Sequence, residues 1–497
     1  MITDRDAREA AREGAEDRFH PVFLLTAACL MIFALWLRPI MSSLWVDETG
    51  TWWVIEGGVR QVIQRADAVQ GQSALYYLLL WAWTHVVGHS ELALRIPSLL
   101  SSLTSTWVVY LIAKRFFDRE TGLLAIITYV AWHQVVFEAS NARPYALSTL
   151  FVVTAAWSLI TWLDGGRAWR GWLFVAMATL APYAHPLTVL VLIPMLIYAV
   201  ARIRDGASSV PFTKMTVAWA AVALLCIPIA LEVLSLTGRR DDWNIPTTVD
   251  LSLVLTMLVP TAFVAVALVT LLLVGIVKVR FVRLQVPRST RILLAAWLLI
   301  PTAVLFALAL FTPIQLLGTR YFLMIAPAGA IIAAMLIRFL DPPQIRRLVV
   351  LALVVLSVLD LSAAYKVSDI REAMDLVRGQ ASARSTTLLA FGFRESLQPS
   401  WRDDPERASL LTAPADYYPV PGDVVALPIG SPTYALQWTQ DTVRAAAASS
   451  DHVFAVAETG SAYQPWLLQF FEDRDFTARV VGSTRIYTVY EFTPPAS

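Results

Sequence analysis

Two adjacent carboxylates, Asp47 and Glu48, follow the first long apolar run of this chain after the polar turn Ser42-Ser43-Leu44-Trp45-Val46. Charges held that close to hydrocarbon are costly and tend to be functional. A carboxylate can take the proton from a hydroxyl as its oxygen attacks a new centre, which is what moving a sugar onto a hydroxyl requires. Neighbouring side chains of an extended loop point to opposite sides. One of the pair is therefore expected to face an acceptor, and the other to hold the loop or a divalent cation such as Mg2+ or Mn2+. Asp47 is the expected base. The bland alternative makes both residues first-turn charges of a helix over 49–59.

Three arginines enter apolar runs from the same side as this pair. Arg143 lies in Glu138-Ala-Ser-Asn141-Ala-Arg143-Pro144-Tyr145, where Pro144 can open the next helix. Arg95 lies in Glu91-Leu-Ala-Leu-Arg95-Ile-Pro97, and Arg320-Tyr321 follows Gly318-Thr319. A guanidinium is permanently charged and presents a planar fork of donors suited to phosphate, so such a cluster would fit a lipid phosphate. Snorkelling to headgroups is the ordinary alternative. His185 in Tyr183-Ala-His185-Pro186 could bond a phosphate or a hydroxyl, or simply serve a proline break. Trp243 could stack on a sugar face or anchor at the interface. His85, His89 and His133 lack metal-ligand spacing. Gly57-Gly58 and Gly165-Gly166 are turns, and no glycine-rich nucleotide loop occurs.

Positioning these residues falls to membrane helices. Of 497 residues, 57% are hydrophobic and 15% charged, with mean hydropathy +0.59, whereas soluble domains carry about 25% charged residues. Met1 to His20 is polar without an apolar core or cleavage site, and reads as a cytoplasmic tail, 1–21. Cys29 and Cys226 both fall in apolar runs, where core thiols are expected. A net charge of +1 and the lack of a basic stripe give no sign of nucleic acid as a partner. Eleven apolar runs are read as spans: 22–40, 92–113, 122–137, 144–163, 171–185, 187–201, 214–236, 251–277, 291–311, 319–339 and 347–364. Residues 74–88 are too short and too aromatic for a twelfth. Counting them as a span would put Lys114, Arg115 and Arg119 outside, against the positive-inside rule. They are expected as a helix lying at the outer interface.

The N-terminus is then cytoplasmic, in a cell (inner) membrane. Loops 41–91, 138–143, 237–250 and 312–318 and everything after Tyr365 face outward. The bundle 22–365 is the expected catalytic domain. Residues 366–497 read as a small extracytoplasmic α/β domain, with helices at 369–378 and 434–447 and strands at 387–391, 423–428, 452–457, 479–482 and 486–492. Residues 394–421 read as loops. The fold class is an α-helical polytopic membrane protein of about eleven spans plus this domain.

In order along residues 20–340, Trp45-Val-Asp47-Glu48, Leu75-Tyr76-Tyr77-Leu78-Leu79-Leu80, Ser90-Glu91-Leu-Ala-Leu-Arg95-Ile-Pro97-Ser98, Ala142-Arg143-Pro144-Tyr145-Ala146-Leu147, Tyr183-Ala-His185 and Arg320-Tyr321-Phe322-Leu323 follow one another. Together they resemble the bacterial GT-C fold membrane glycosyltransferases, in the branch of protein O-mannosyltransferases and aminoarabinose transferases. The resemblance implies a polyprenyl-phosphate sugar donor, inversion at the anomeric centre and an extracytoplasmic site with Asp47, beside Glu48, as base. It also implies donor contacts from Arg95, Arg143, Tyr145, His185, Arg320 and Tyr321. Tyr76, Glu138 and Asn141, with Trp243, are the expected sugar or acceptor contacts, the acceptor being a glycan, lipid or protein. Many relatives have His-Pro where this chain has Gln72-Ser73, and a Glu where it has Asn141; Glu138, one helical turn away, could substitute. The competing function is a transporter or flippase for a lipid-linked sugar. Transporters place charges near the midplane, often in paired repeats, whereas here the charges gather at one face and no halves repeat.

Overall fold

The structure is a computed structural model that describes residues 21–70, 74–237, 251–276, 280–281, 285–312, 317–364 and 368–495. Nearly all of the expected tail and the loop carrying Trp243 lie outside the described residues. The protein is a polytopic helical membrane protein with a C-terminal sheet domain, as its composition requires. Seven described helices are long and apolar enough to span: Pro21–Met41, Glu91–Phe116, Tyr145–Gly165, Pro186–Arg204, Phe212–Ser235, Arg288–Phe311 and Thr319–Arg338. The other expected runs are also helical. They are covered by Ala168–Ala184, by Leu251–Leu258 followed by Thr261–Ile276, and by Pro343–Ala364. Leu75–Val87 is a separate 13-residue helix, short for a span.

The run 122–137, expected as one span, is broken instead. Arg119–Val130 ends and His133–Ala139 departs at 69°. Trp132, in extended conformation at the break, drives its ring against Gly329. A Cβ there would lie 2.3 Å from the indole. The bend carries Phe137, Glu138 and Asn141 sideways towards the first loop. Helices elsewhere are joined by buried polar bonds, such as Thr128 Oγ1 to the Ala330 carbonyl (2.8 Å) and Trp297 Nε1 to the Met324 carbonyl (2.8 Å). Cys29, expected in the core, faces outward from its helix, and both cysteines are free thiols. At the end of the bundle away from Asp47, Arg115 and Arg202 each reach Asp164 at 2.8 Å, and Arg338 reaches Asp118 at 3.0 Å.

The C-terminal sheet comprises β1 (Ser385–Ala390), β2 (Asp423–Ala426), β3 (His452–Glu458), β4 (Thr477–Ser483) and β5 (Tyr487–Thr493), in the order β2-β1-β3-β5-β4. The first three strands run parallel, and β5 is antiparallel to both its neighbours. Alternate side chains divide between two cores. Leu388, Ala390, Val453, Ala455 and Phe492 face a core covered by the helices Leu436–Ser449 and Tyr463–Glu472. Leu389, Phe454, Val456 and Val489 face another, which contains Ile370, Ala373, Met374 and Val377, the i, i+3, i+4, i+7 stripe of Ile370–Arg378.

That second core also includes Leu44, Trp53, Val54, Ile55, Tyr76, Tyr77 and Ala142. The domain is therefore packed on the first loop through shared hydrophobic burial. Residues 394–421, expected as loops, form the short helices Pro399–Arg402, Pro405–Leu411 and Ala413–Tyr417. Their prolines open helices instead of breaking them.

Polar bonds fasten the junction. Leu44 N–H donates to Tyr418 Oη (2.7 Å), Ser368 Oγ to the Leu44 carbonyl (2.7 Å), and Trp53 Nε1 to Ser409 Oγ (2.7 Å). Glu91 accepts from both Arg371 and Tyr418 at 2.5 Å. Gly50 is required for the closest approach, because a Cβ there would lie 2.8 Å from Phe393 Cε1. Gly50→Ala is expected to cost about 1–3 kcal/mol through overpacking, read as a lower melting temperature and faster proteolysis at the junction. An unchanged melt and cleavage pattern would mean that the Phe393 ring gives way freely.

Candidate active site

Asp47 and Glu48 occupy the first turn of the helix Val46–Ile55, not an extended loop. The helix starts three residues earlier than expected because Glu48 closes a capping interaction, accepting from the Trp45 N–H at 3.2 Å. Two carboxylates at a helix N-terminus also suit its dipole. Successive helical residues project about 100° apart, so the pair still diverges, Glu48 fully buried and Asp47 one-quarter exposed.

Glu48 is wholly buried and so is its partner Arg95. Arg95 grips the carboxylate bidentately, Nε to Oε1 at 2.9 Å and Nη2 to Oε2 at 2.6 Å. Its remaining N–H groups go to the carbonyls of Ile40 (3.0 Å), Ser42 (2.5 Å) and Ser43 (2.9 Å). All five donors of a guanidinium are then engaged. Arg95, expected at a lipid phosphate, instead lies behind the pair and ties the end of the first span to the helix. Glu48 Oε1 also accepts from the Ala142 N–H at 2.8 Å, which fixes the residue before Arg143.

Asp47 is one-quarter exposed. Its Oδ2 receives Arg320 Nη1 at 2.5 Å and has Arg143 Nη2 4.0 Å away. Arg143 is almost fully buried and Arg320 about one-third exposed. Arg320 is also set over the Trp45 ring at 5.9 Å, and Arg143 over Tyr145 at 6.0 Å. Behind the arginines Tyr145, His185 and Tyr321 form an aromatic wall, with centroids 4.9 Å apart for Tyr145 and His185 and 5.8 Å for His185 and Tyr321. His185 caps the helix Ala168–Ala184 in extended conformation, which turns its ring inward ahead of Pro186.

Trp45 extends the wall. Its Nε1 donates to Asn141 Oδ1 at 3.1 Å, while Asn141 Nδ2 donates to Glu138 Oε2 at 2.7 Å. Glu138 thus buttresses Asn141, and Asn141 orients the indole. Tyr76 is buried on Leu75–Val87, 5.4 Å from Tyr77, and lines an apolar cavity of about 270 Å³ with Leu80, Trp83, Leu100 and Leu147. Trp243 lies outside the described residues. No group of three or more His, Cys, Asp or Glu side chains that could hold a metal occurs among the described residues. Both Glu48 oxygens are committed to the protein.

Sequence reasoning missed one acidic residue. Glu395, on the turn Arg394–Leu397 of the C-terminal sheet domain, is buried and feels the charges of Asp47 and Arg143. Loss of hydration pushes its carboxyl up to about 7, and the Asp47 charge adds to the rise. The signal available was slight: an acid two residues after Phe393 in a stretch whose prolines read as loop.

Residues 72–231 match a family model described as dolichyl-phosphate-mannose-protein mannosyltransferase. No curated protein matches the chain. Among solved structures it is similar to ArnT from Cupriavidus metallidurans bound to undecaprenyl phosphate, at 10% identity and a TM-score of 0.54. The apo state of the same protein gives 10% and 0.55, and each comparison covers 94% of this chain and 97% of that one. The protein has the fold of the GT-C membrane glycosyltransferases, which its motifs resemble.

Proposed function

We propose that the protein transfers a sugar from a polyprenyl-phosphate donor to a hydroxyl-bearing glycan, lipid or protein on the extracytoplasmic face, with inversion. The observation that carries this is the shared point of contact: one partly exposed carboxylate, Asp47, beside two guanidiniums, Arg143 and Arg320, at a membrane-bundle end roofed by a soluble domain. Arg143 and Arg320 hold the donor phosphate, and Tyr145, His185 and Tyr321 wall its sugar side. The acceptor oxygen attacks the anomeric carbon, and its proton passes to Asp47. The anomeric carbon–oxygen bond breaks, and polyprenyl phosphate leaves with its charge neutralised by the arginines. Glu48 and Arg95 position this machinery without touching substrate. The undecaprenyl phosphate of the ArnT structure supports the donor class. Basic residues concentrated at the far end of the bundle support a cytoplasmic N-terminus.

The test is purified protein in nanodiscs with undecaprenyl phosphate carrying labelled mannose, glucose or arabinose. Label leaving the lipid for water or an envelope extract supports the proposal. Movement of intact donor between leaflets without sugar release would support the flippase instead. Arg143→Ala and Arg320→Ala are each expected to raise donor KM by about 10- to 100-fold, the worth of a hydrogen bond to a charged group, and to lower kcat less. Unchanged donor KM in both variants would return these arginines to headgroup snorkelling.

A further inference from the structure

The soluble domain reaches the transfer site by a definite route. β1 ends at Ala390, and its carboxyl-end loop turns at Gly392, whose φ of +142° is one that side-chain-bearing residues rarely adopt. Ligand crevices of α/β sheets lie outside such strand ends. The turn sets Phe393 against Gly50. Gly50 is three residues after Asp47 on one helix, so both lie on the same face. The loop then tightens into Arg394–Leu397, held by Ser396 Oγ donating to the Phe393 carbonyl (2.6 Å) and by the Ile429 N–H donating to Ser396 Oγ (2.9 Å). Glu395, only 7% exposed, is thereby held at the junction two residues beyond the Phe393–Gly50 contact, within the field of Asp47 and Arg143 and beside Arg394.

We propose that Glu395 is the acceptor-side carboxyl of this site, accepting a hydrogen bond from an acceptor hydroxyl next to the one that gives its proton to Asp47. The inference rests on the transferase function proposed above. The charges of Asp47 and Glu395 repel one another, and a ligand that donates one hydroxyl to each relieves that repulsion. The acceptor class is therefore one offering hydroxyls, as a sugar ring does. The soluble domain completes the site, and its docking through Gly50 and Glu91 sets where the acceptor oxygen lies. The ionised carboxyl is the better hydrogen-bond acceptor, so the rate should rise with pH as Glu395 loses its proton near 7.

The experiment compares wild type, Glu395→Gln and Glu395→Asp in nanodiscs. It measures sugar release from the three undecaprenyl-phosphate donors between pH 5 and 9, undecaprenyl phosphate binding, and melting temperature. Glu395→Gln is expected to slow release by about 10- to 100-fold and to abolish the step near pH 7. Undecaprenyl phosphate Kd and melting temperature should be unchanged, and Glu395→Asp should restore part of the rate. A Gln variant with wild-type rate and pH profile overturns the inference and leaves the transferase function standing. So does a Gln variant whose rate falls only together with melting temperature and lipid binding, since Glu395 would then merely hold the domain. A wild type that binds undecaprenyl phosphate but releases no sugar from any donor overturns both.

Discussion

Asp47→Asn is expected to fold, insert and bind polyprenyl phosphate, yet to turn over roughly 10²–10⁴ more slowly, the range general-base catalysis contributes. The substitution keeps the shape of the side chain and removes its charge. Arg320 and Arg143 then face the donor without a competing anion, so undecaprenyl phosphate should bind as tightly as before or more tightly. That opposite movement of affinity and rate distinguishes a base from a residue that only arranges the arginines. If Asp47 acted through Arg320 alone, losing it would loosen Arg320 and weaken phosphate binding along with turnover. The measurement is undecaprenyl phosphate affinity beside the single-turnover rate of labelled sugar release. A variant with the wild-type single-turnover rate would remove Asp47 from the chemistry.

The residues that gather at Asp47 were legible because charge beside hydrocarbon is expensive. Asp47, Arg143 and Arg320 each stand at the edge of an apolar run, and topology alone sends them to one end of the bundle. His185 stands at a similar edge, whereas Tyr145 and Tyr321 came with the family resemblance and not from their position along the chain. Arg95 stands at an equivalent edge, but local sequence carries no record of what lies behind it. Its donors are consumed by three carbonyls and Glu48, contacts spanning 47 to 55 residues. The helical start at Val46 depended on a capping bond to Trp45, a residue type that rarely caps. The bend at Trp132 depended on a cleft over Gly329, two hundred residues away. Glu395 was hidden for a similar reason: its place is set by Gly50 and Phe393 meeting across a domain junction, and the prolines around it resembled loop punctuation while opening helices. Periodicity found the strands and the amphipathic Ile370–Arg378 helix, because each of those is a local pattern.

Breaking the Glu48–Arg95 pair should be the most destabilising single change in the first loop. Removing one partner of a buried ion pair strands the other charge and costs about 3–5 kcal/mol. Arg95→Ala leaves Glu48 ionised in a fully buried site. It also strands the Ile40, Ser42 and Ser43 carbonyls, which should release the turn that holds Trp45 against Asn141 and Phe137. Glu48→Gln keeps the volume but removes the charge from the bidentate grip, and so should cost less than Arg95→Ala. Both variants are expected to melt lower and to lose activity through misplaced Asp47 and Ala142, with donor KM and kcat worsening together. Combining Glu48→Gln with Arg95→Ala should destabilise less than the sum of the single changes, because no lone charge is left buried. The opposite result has a clear meaning. If Arg95→Ala melts like wild type while donor KM rises selectively, its guanidinium is serving the lipid phosphate, and the buried clamp described here is not its role.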